Sequence, residues 1–477
     1  MSDLRHSSRI LRPGETCWRM AQAERLAVIV DAADYFSVIR EVVPQARHSV
    51  LFIGWDFDTR IELEPGAPKS DMPNTVGAFL EQVVEQTPGL QVHMLKWDVG
   101  AVQTLARGST PLMVADWLTH ENIHMRLDHA HPSGAAHHQK IVVIDDALAF
   151  CGGIDITAAR WDTREHRDEH PHRRRPTSRR HYGPWHDITT AVSGEAARVL
   201  GELARDRWEA ATGERLLAPM PGAPIWPDRL CPVATDHPVA ISRTLPEYDA
   251  RAEVREIEAL YLEIIRQARH SLYIESQYFA SRRIAEAMAA RLREPDGPEI
   301  VVINPHSAEG WLTAEVMGAA RARLLRLVRE ADLYDRFRLY TPVAEGGTHI
   351  YVHAKVVVVD DRLLRVGSSN LNNRSMGFDT ECDLSIEVDS ASDPQLRASI
   401  MGLRNDLLAE HLGVNNDVVM RTIQEMGGSM VQAIDRLRGE GRTLLPFKPP
   451  EYSKIEEDTL GENDLLDPES TSTSWAG

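Results

Sequence analysis

The chain has 477 residues, of which 43% are hydrophobic and 26% charged, a composition typical of a globular protein with more than one domain. Its 53 basic and 71 acidic residues give a formal charge of −18, which excludes polyanion binding through overall charge, so phosphate chemistry must depend on local basic groups. The four cysteines are far apart and exclude a zinc ribbon or a disulfide scaffold. No segment is apolar over the ~18 residues that a membrane-spanning helix needs.

The first predicted helix and strand recur in the second half of the chain. Residues 45–53, Q-A-R-H-S-V-L-F-I, reappear as Q-A-R-H-S-L-Y-I-E at 267–275, and the preceding segments share one amphipathic helical pattern. The apolar strand at 91–95 is paralleled at 299–303. Alternating helices and strands indicate an α/β fold, and repeats in the same order indicate two similar lobes from an internal duplication.

The repeats also suggest domain boundaries. We expect an N-terminal lobe at residues 1–240 and a C-terminal lobe at 241–415, each a mixed β-sheet flanked by helices, with the proline-rich segment Pro219–Pro238 as the linker. The strands are continuous apolar runs, which indicates that both faces of each sheet are buried. Residues 416–477 are predicted to form a helical segment followed by an acidic tail with the composition of a disordered segment.

One predicted strand in each lobe begins with the pattern His-x-Lys. The first copy has His138 and Lys140, and the second has His353 and Lys355. Residues two apart in a strand point to the same face, so each histidine shares a face with its lysine. A single His-x-Lys would indicate little, but two copies at matching places in a repeat indicate a common site.

A turn of small residues follows each of these strands. Asp145 and Asp360, seven residues after the histidines, have the opposite parity and end the strands, so we predict a structural role for them. The turns that follow, G-G-I-D at 152–155 and G-S-S-N at 367–370, allow backbone N–H groups to approach an anion. We expect these turns to contribute four substrate-binding residues: Gly153, Asp155, Ser368 and Asn370.

These residues resemble the phospholipase D superfamily, whose signature is H-x-K-x4-D-x6-G-[GS]-x-[ND], and both copies fit it without a gap. Other segments are similar to the phosphatidylcholine-type phospholipases D of eukaryotes and their bacterial relatives: P-W-H-D-I at 184–188, Y-I-E-S-Q-Y-F at 273–279 and G-S-S-N-L-N-N-R-S-M at 367–376. The resemblance covers residues 18–413 and implies two α/β lobes with one active site at their interface.

The resemblance further implies a covalent mechanism. His138 would be the nucleophile that forms a phosphohistidine, and His353 would act first as general acid and then as general base. Lys140 and Lys355 would supply positive charge at the phosphoryl oxygens, so no metal or other cofactor is expected. Two histidines that work in opposite protonation states predict a bell-shaped pH profile.

Each of these histidines should be oriented by a carboxylate on its other ring nitrogen. Asp187 begins a strand in the first lobe, and Glu381 begins the comparable strand in the second. We therefore assign Asp187 to His138 and Glu381 to His353. Glu165 is the alternative partner of His138, and an ordinary role at a strand edge is the alternative for both acids.

The insertion Arg164–His186 holds seven arginines and several histidines. One interpretation is a solvated loop, and another is a basic edge that meets anionic lipid headgroups near the active site. A metal site formed by His166, His170 and His172 is a third interpretation, but no further ligand completes it in the sequence.

The function that this pattern predicts is that of a phospholipase D, hydrolysing phosphatidylcholine or phosphatidylethanolamine at a membrane surface to phosphatidic acid and the free alcohol, with transfer to another alcohol as a second outcome. A cardiolipin synthase-like phosphatidyltransferase is the main alternative. The negative charge disfavours a nuclease or any nucleic-acid partner, and the intact His-Lys pairs disfavour a silent scaffold. A monomer should suffice, and the unpaired cysteines and absent signal core predict a cytoplasmic protein, peripheral on membranes or exported without a cleaved signal.

Overall fold

A single mixed β-sheet runs through both halves of the described chain, and its two central strands belong one to each half. β1 (Arg19–Val30) lies antiparallel to β9 (Ala234–Leu245), with Arg19 opposite Ile241 and Leu26 opposite Ala234. The strands on one side of this pair follow the same order as the equivalent strands on the other side. This computed structural model describes residues 9–68, 70–98, 117, 120–220, 222–307, 311–388, 393–449 and 467.

The strand order on the two sides of the central pair confirms the duplication. On the side of β1 the order is β8 (Ile188–Gly194), β6 (Leu148–Gly152), β5 (Ile141–Ile144), β2 (Ser49–Gly54), β3 (Gln91–Trp97) and β4 (Ile123–Asp128). On the side of β9 it is β17 (Glu381–Glu387), β16 (Leu363–Gly367), β15 (Val356–Val359), β11 (Ser271–Glu275), β12 (Glu299–Ile303), β13 (Phe337–Val343) and β18 (Thr443–Pro446). Both sides combine parallel and antiparallel pairs, as predicted for a mixed sheet.

Three shorter elements lie outside this order. β10 (Val254–Arg255) pairs with the end of β9. β7 (Trp185–His186) and β14 (Tyr351–Val352) form a separate parallel pair that joins the two halves.

Helices cover both faces of the sheet. A short 3₁₀ turn, Val43–Gln45, follows the first of them. The helices are α1 (Ala32–Val42), α2 (Val76–Gln86), α3 (Glu195–Thr212), α4 (Glu256–Gln267), α5 (Arg282–Leu292), α6 (Trp311–Ala331), α7 (Asn373–Gly377), α8 (Pro394–Leu412), α9 (Asn416–Glu425) and α10 (Met430–Leu437).

The apolar stripes of the repeated helices account for the packing. In α1, Tyr35 and Ile39 are buried in one apolar cluster with residues of β2, and in α4 the equivalent Ile257 and Tyr261 are buried in a cluster with residues of β11. These contacts form one core in each half. A third core lies on the opposite face of the sheet, where α3 and α8 pack on strands of both halves, so the halves share buried apolar surface.

The aspartate that ends each motif strand ties that strand to the repeated segment of its own half. The carboxylate of Asp145 accepts hydrogen bonds from the backbone N–H groups of His48 and Ser49 at 2.8 and 2.7 Å. Asp360 accepts from those of His270 and Ser271 at 2.8 and 2.9 Å. These contacts satisfy amide groups at the start of β2 and β11, which is the structural work that the turn position suggested.

The predicted linker, Pro219–Pro238, extends too far towards the C-terminus. Residues 234–238 are part of β9, and Pro238 lies opposite Gln22 of β1. A proline is tolerated there because the pairing of β9 with β17 ends at Ala240, opposite Ser385, so no N–H is required on that side. The predicted boundary between residues 240 and 241 consequently falls inside a central strand.

The C-terminal segment contributes both helices and a strand. α9 and α10 are separated by Gly427 and Gly428, and β18 then adds an edge strand beside β13. Most of the predicted disordered tail lies outside the described residues. Within the described part, Asp467 is buried and accepts hydrogen bonds from the backbone of Asn373 and Arg374.

None of the helices in the described ranges combines the length and the apolar character needed to cross a bilayer.

Candidate active site

The histidine of each His-x-Lys pair lies in a short segment before its strand, and that segment contacts the other half of the chain. His138 lies three residues before β5, and its backbone N–H donates to the carbonyl of Thr380 at 3.0 Å, directly before β17. Likewise, the N–H of His353 donates to the carbonyl of His186 at 2.8 Å, directly before Asp187 and β8. Each histidine therefore lies beside the acidic residue that begins a strand of the opposite half.

This placement reverses the predicted pairing of histidines and carboxylates. Nδ1 of His138 lies 2.9 Å from Oε2 of Glu381, and Nδ1 of His353 lies 2.6 Å from Oδ2 of Asp187. The assignment of Asp187 to His138 and of Glu381 to His353 is wrong, because the histidine segments cross between the halves. Glu165, the alternative partner of His138, is exposed and has no contact with it.

The two lysines of the motif are buried and point back at their histidines. Nζ of Lys140 donates to the carbonyl of His138 at 3.0 Å and lies 3.2 Å from a carboxylate oxygen of Asp155. Nζ of Lys355 donates to the carbonyl of His353. Each lysine thus places its charge beside the imidazole two residues before it.

Two serines hold the carboxylate of Glu381. The hydroxyl of Ser368 donates to Oε2 at 2.5 Å, and the hydroxyl of Ser375 donates to Oε1 at 2.7 Å. Ser375 was not among the predicted site residues, although it stands in the N-N-R-S-M segment that carries the resemblance. We predicted that Ser368 contacts the substrate, but its hydroxyl proton is directed at Glu381, so it positions that carboxylate instead.

The glycine turn of the first copy is shaped by Asp187. A Cβ added to Gly153 would overlap Oδ1 of Asp187 and lie 3.3 Å from the carbonyl oxygen of His353. Glycine therefore allows the carboxylate to reach His353. Asp155, predicted to contact substrate, instead pairs with Lys140 and accepts from the N–H of Trp55 at 3.0 Å.

Asn370 is the residue of the second turn that remains available for a ligand. Its backbone N–H donates to the hydroxyl of Ser375 at 3.0 Å. Its side-chain Oδ1 is buried and has no hydrogen-bond partner within the described chain. Buried amide groups are rarely left without a partner, so this side chain is suited to contact a bound molecule.

Burial governs the protonation of the site. It lowers the pKa of both His138 and His353 well below the ordinary value, and Lys140 and Lys355 lower each pKa further. Burial also lowers the pKa of Lys355 to about 7 and raises that of Glu381 to about 7. Both imidazoles are consequently neutral at pH 7 before an anion enters.

An arginine that the motif does not include adds a further charge. Arg160 is buried and stacks over the ring of Trp185, with its guanidinium carbon 4.2 Å from the ring centroid. Its charge also contributes to the lowered pKa of His353, after burial and Lys355. Arg160 is outside the His-x-Lys signature and the three further segments quoted above, so the sequence did not indicate that it lies near His353.

A cavity of about 360 Å³ lies next to Trp185, the ring on which Arg160 stacks. Trp185 and Tyr351 stack in its wall, with their ring centroids 4.5 Å apart, and the Trp185 ring lies 5.3 Å from the His353 ring. The basic insertion contributes Arg175 and Tyr182 to the same wall. The cavity is thus lined by the insertion and is separated from His353 by the Trp185 ring.

The predicted alternative metal set in the insertion is wrong. His166 is fully buried, whereas His170 is half-buried and His172 is exposed. His170 and His172 pack their rings near Trp161, and neither contacts His166. Among the described residues, these three histidines form no common ligand set.

The fold and the site together define a two-lobed α/β enzyme with one His-Lys pair from each half at a shared interface. Each half of the chain matches a protein-family model. Residues 42–224 match the model described as "Phospholipase D", and residues 261–397 match the one described as "Cardiolipin synthase, PLD-like domain". The chain belongs to the phospholipase D superfamily.

Individual relatives agree with this family. Phospholipase D A of Dictyostelium discoideum is 24% identical over 470 residues, which cover 83% of this chain and 36% of that protein. Phospholipase D alpha 1 of Vigna unguiculata is 23% identical, over 81% of this chain and 65% of that protein. The chain thus spans between 36% and 65% of the length of these two relatives.

A solved structure shares the fold. The crystal structure of phosphatidylserine synthase from Haemophilus influenzae Rd KW20 superposes with a TM-score of 0.54 at 13% identity. The superposition covers 87% of this chain and 96% of that one. At this identity the likeness concerns the arrangement of the two lobes alone.

Proposed function

We propose that this protein is a phospholipase D, which hydrolyses the distal phosphodiester bond of phosphatidylcholine or phosphatidylethanolamine to phosphatidic acid and the free alcohol. The observation that carries the proposal is the pair of crossed histidine–carboxylate contacts, His138 with Glu381 and His353 with Asp187. The carboxylates engage Nδ1 of each ring, and no hydrogen bond to Nε2 of either ring occurs within the described chain. Two Nε2 atoms are therefore left for the substrate.

In the first step, Nε2 of neutral His138 attacks phosphorus, and the bond from phosphorus to the headgroup oxygen breaks. His353 gives its Nε2 proton to that oxygen, so the headgroup leaves as an alcohol and not as an alkoxide. In the second step, neutral His353 takes a proton from water while the water oxygen attacks phosphorus. The phosphorus–nitrogen bond breaks, which releases phosphatidic acid and restores His138. The choice of His138 as nucleophile rests on the family resemblance.

The low pKa values fit this sequence of protonation states. A neutral His138 is ready to attack, whereas His353 must first gain a proton. A bound phosphodiester adds a negative charge beside His353, and a negative charge raises the pKa of a neighbouring imidazole. Substrate binding would therefore favour the protonated form of His353, which is the form that acts as general acid. Lys140, Lys355 and Arg160 stabilise the charge that develops on the phosphoryl oxygens.

Glycerophospholipid is the proposed substrate class because a cavity with an aromatic wall and part of the basic insertion lies next to His353. Trp185 and Tyr351 offer a surface for a headgroup or the glycerol backbone, and Arg175 brings a positive charge to the same cavity. The proposed partner is a membrane surface, and the active unit is a single chain because both histidines lie in it.

A phosphatidyltransferase acting on an alcohol is the second candidate. The family model that matches the second half is described as a cardiolipin synthase domain, and the phosphohistidine intermediate can react with an alcohol in place of water. The two candidates differ only in the preferred acceptor of the phosphatidyl group.

The deciding experiment incubates the purified chain with acyl-labelled phosphatidylcholine in mixed micelles, with and without a primary alcohol. We expect phosphatidic acid in water and a phosphatidyl-alcohol when the alcohol is present. The His138→Asn and His353→Asn variants should lose at least ~10³-fold in rate. A product that forms only with an alcohol acceptor favours the transferase, and cleavage of neither phosphatidylcholine nor phosphatidylethanolamine rejects the proposal.

A further inference from the structure

A buried group of two histidines and two carboxylates lies directly behind the candidate active site. Its members are Asp31, His166, His186 and Glu410, and each of them is at least nine-tenths buried. One ligand atom from each lies within 4.8 Å of all the others. We propose that these four residues bind a divalent transition metal ion of the Zn²⁺ type as a structural site.

The separations of the ligand atoms fit a tetrahedral site. Nε2 of His166 lies 3.0 Å from Oε1 of Glu410 and 3.4 Å from Oδ2 of Asp31. Nδ1 of His186 lies 2.9 Å from Oε1 of Glu410 and 3.2 Å from Oδ1 of Asp31. Zinc bonds of about 2.0–2.2 Å in tetrahedral geometry place neighbouring ligand atoms roughly 3.3 Å apart. The four measured separations, which involve both oxygens of Asp31, are close to this value, so the group encloses a space of the right size.

Two of these atoms are buried without a hydrogen bond. Oδ2 of Asp31 and Nδ1 of His186 have no hydrogen-bond partner of acceptable geometry within the described chain. Both point into the group, and an unsatisfied buried carboxylate oxygen is costly. A metal ion at the centre would satisfy both atoms at once.

The outer nitrogens of the two histidines are held as in protein metal sites. Nδ1 of His166 lies 3.0 Å from Asp162, and Nε2 of His186 lies 2.8 Å from Glu275. A metal-bound histidine commonly donates its other N–H to a carboxylate, which fixes the ring and its tautomer. Here each ring is fixed in this way, so Nε2 of His166 and Nδ1 of His186 are the nitrogens that face the centre, where a metal ion would replace a proton on each.

The electrostatics of the group favour a cation at its centre. Four carboxylates lie within 3.4 Å of the two imidazoles: those of Asp31, Asp162, Glu275 and Glu410. Arg164 pairs with Oε2 of Glu410, at 2.5 Å, and not with Oε1, the oxygen that faces the two histidines. Nη2 of Arg442 lies 3.9 Å from Oε1. The carboxylates therefore attract positive charge, which a metal ion supplies in place of protons on the imidazoles.

The group connects elements that are distant in sequence. Asp31 precedes α1, His166 lies in the insertion, His186 lies in β7, and Glu410 lies in α8 of the other half. Asp31 and His166 both have positive φ, 67° and 43°, a backbone strain that persists where the surroundings demand a particular side-chain position. Through the carbonyl of His186, which accepts from the N–H of His353, the site would brace the active site.

The test measures metal in the purified, unfractionated chain, without reference to catalysis. Protein from cells grown with added zinc should carry about one equivalent of Zn²⁺ by elemental analysis. Chelator-stripped protein should take up Co²⁺ with the visible absorption of a tetrahedral complex, and its melting temperature should rise when Zn²⁺ is restored. Wild-type protein that folds, carries no metal and takes up neither ion overturns the proposal.

Variants locate the metal. His166→Gln and Glu410→Gln should each lose metal. His411→Gln tests the neighbouring group of His186, Glu275 and His411, whose ligand atoms also lie within 4.8 Å of one another. This variant should keep the metal, and loss of the metal would place the ion in that group instead. If a folded Glu410→Gln protein retains a full equivalent, the assignment of the ligands fails. If that variant does not fold, the wild-type metal content and Co²⁺ spectrum still decide.

Discussion

His138 and Glu381 are 243 residues apart in sequence, yet Nδ1 of the first lies 2.9 Å from a carboxylate oxygen of the second. The carboxylate fixes the tautomer of the imidazole, so that Nε2 carries the lone pair that faces the substrate. The mirrored contact joins His353 to Asp187. Each catalytic histidine thus depends on a carboxylate from the other half of the chain.

The crossed contacts predict different defects in the two carboxamide variants. With a p-nitrophenyl phosphodiester, whose leaving group needs no acid, Asp187→Asn should still form the phosphohistidine on His138 but hydrolyse it slowly. Glu381→Gln should form it about 10³-fold more slowly, because its histidine is no longer oriented. Rapid-quench measurement of nitrophenol release and of labelled protein distinguishes the two.

Wild-type protein and the His138→Asn variant are the references for that experiment. The first should show a burst no larger than one equivalent, and the second none. Intermediate accumulation in Glu381→Gln with none in Asp187→Asn would mean that His353 is the nucleophile. Equal behaviour of both variants would contradict separate roles.

The lowered pKa of His138 predicts the acidic limb of the pH profile. For the same nitrophenyl substrate, kcat/KM should stay constant as the pH falls to 6.5 and decline only below it, because attack requires the neutral ring. Lys140 is a cation beside this ring, so Lys140→Met should raise the pKa of His138 and move the limb to higher pH. A limb that moves to lower pH in this variant contradicts the assigned charge effect.

The close approach of Gly153 to Asp187 predicts a sensitive position. In Gly153→Ala the new methyl group should displace the carboxylate from His353 and reduce kcat by about 10²-fold, because small misplacements of positioned groups are costly. Gly402→Ala is the matched control, since a Cβ at Gly402 meets no atom within 4 Å. Steady-state rates and melting temperatures separate a catalytic defect from unfolding, and a Gly153→Ala enzyme of full activity would reject this reading.

The exposed arginines of the insertion predict salt-dependent membrane binding. Arg164 and Arg173 are committed to ion pairs with Glu410 and Asp162. Replacing the exposed arginines of the insertion by glutamine should weaken binding to vesicles that contain anionic lipid by about tenfold. The same change should reduce the dependence of binding on salt. Five arginines of the insertion are exposed and make no ion pair within the described residues: Arg167, Arg174, Arg175, Arg179 and Arg180.

Sedimentation of vesicles at several salt concentrations measures this effect. The control replaces Arg198 and Arg421, two exposed arginines outside the insertion, and should leave binding unchanged. Vesicle binding that is identical in both variants at every salt concentration supports the solvated-loop interpretation instead.

Local features of the fold were readable from the sequence, because they depend on neighbouring residues. The His-x-Lys pattern located β5 and β15 through the apolar runs that follow, and the parity of Asp145 and Asp360 indicated the ends of these strands. Pro238 misled because proline usually marks a loop, and its tolerance depends on where β17 stops pairing with β9. That endpoint is a tertiary property.

The histidine partners could not be derived from the sequence for a related reason. Asp187 and Glu381 occupy equivalent strand positions, so sequence alone cannot say whether each serves its own half or the other. The backbone bonds from His138 to Thr380 and from His353 to His186 decide it. The same holds for Asp31 and Glu410, whose contacts with His166 emerge only when α8 packs across both halves.

The adjacency of β1 and β9 has a consequence for synthesis on the ribosome. β1 can pair with β8 as soon as the first half has emerged, but its opposite edge stays open until β9 follows. An unpaired strand edge invites association with other chains, so the nascent first half is a point of vulnerability to aggregation. Its catalytic histidine also lacks a carboxylate until residue 381 has been translated, which delays activity until the polypeptide is nearly complete.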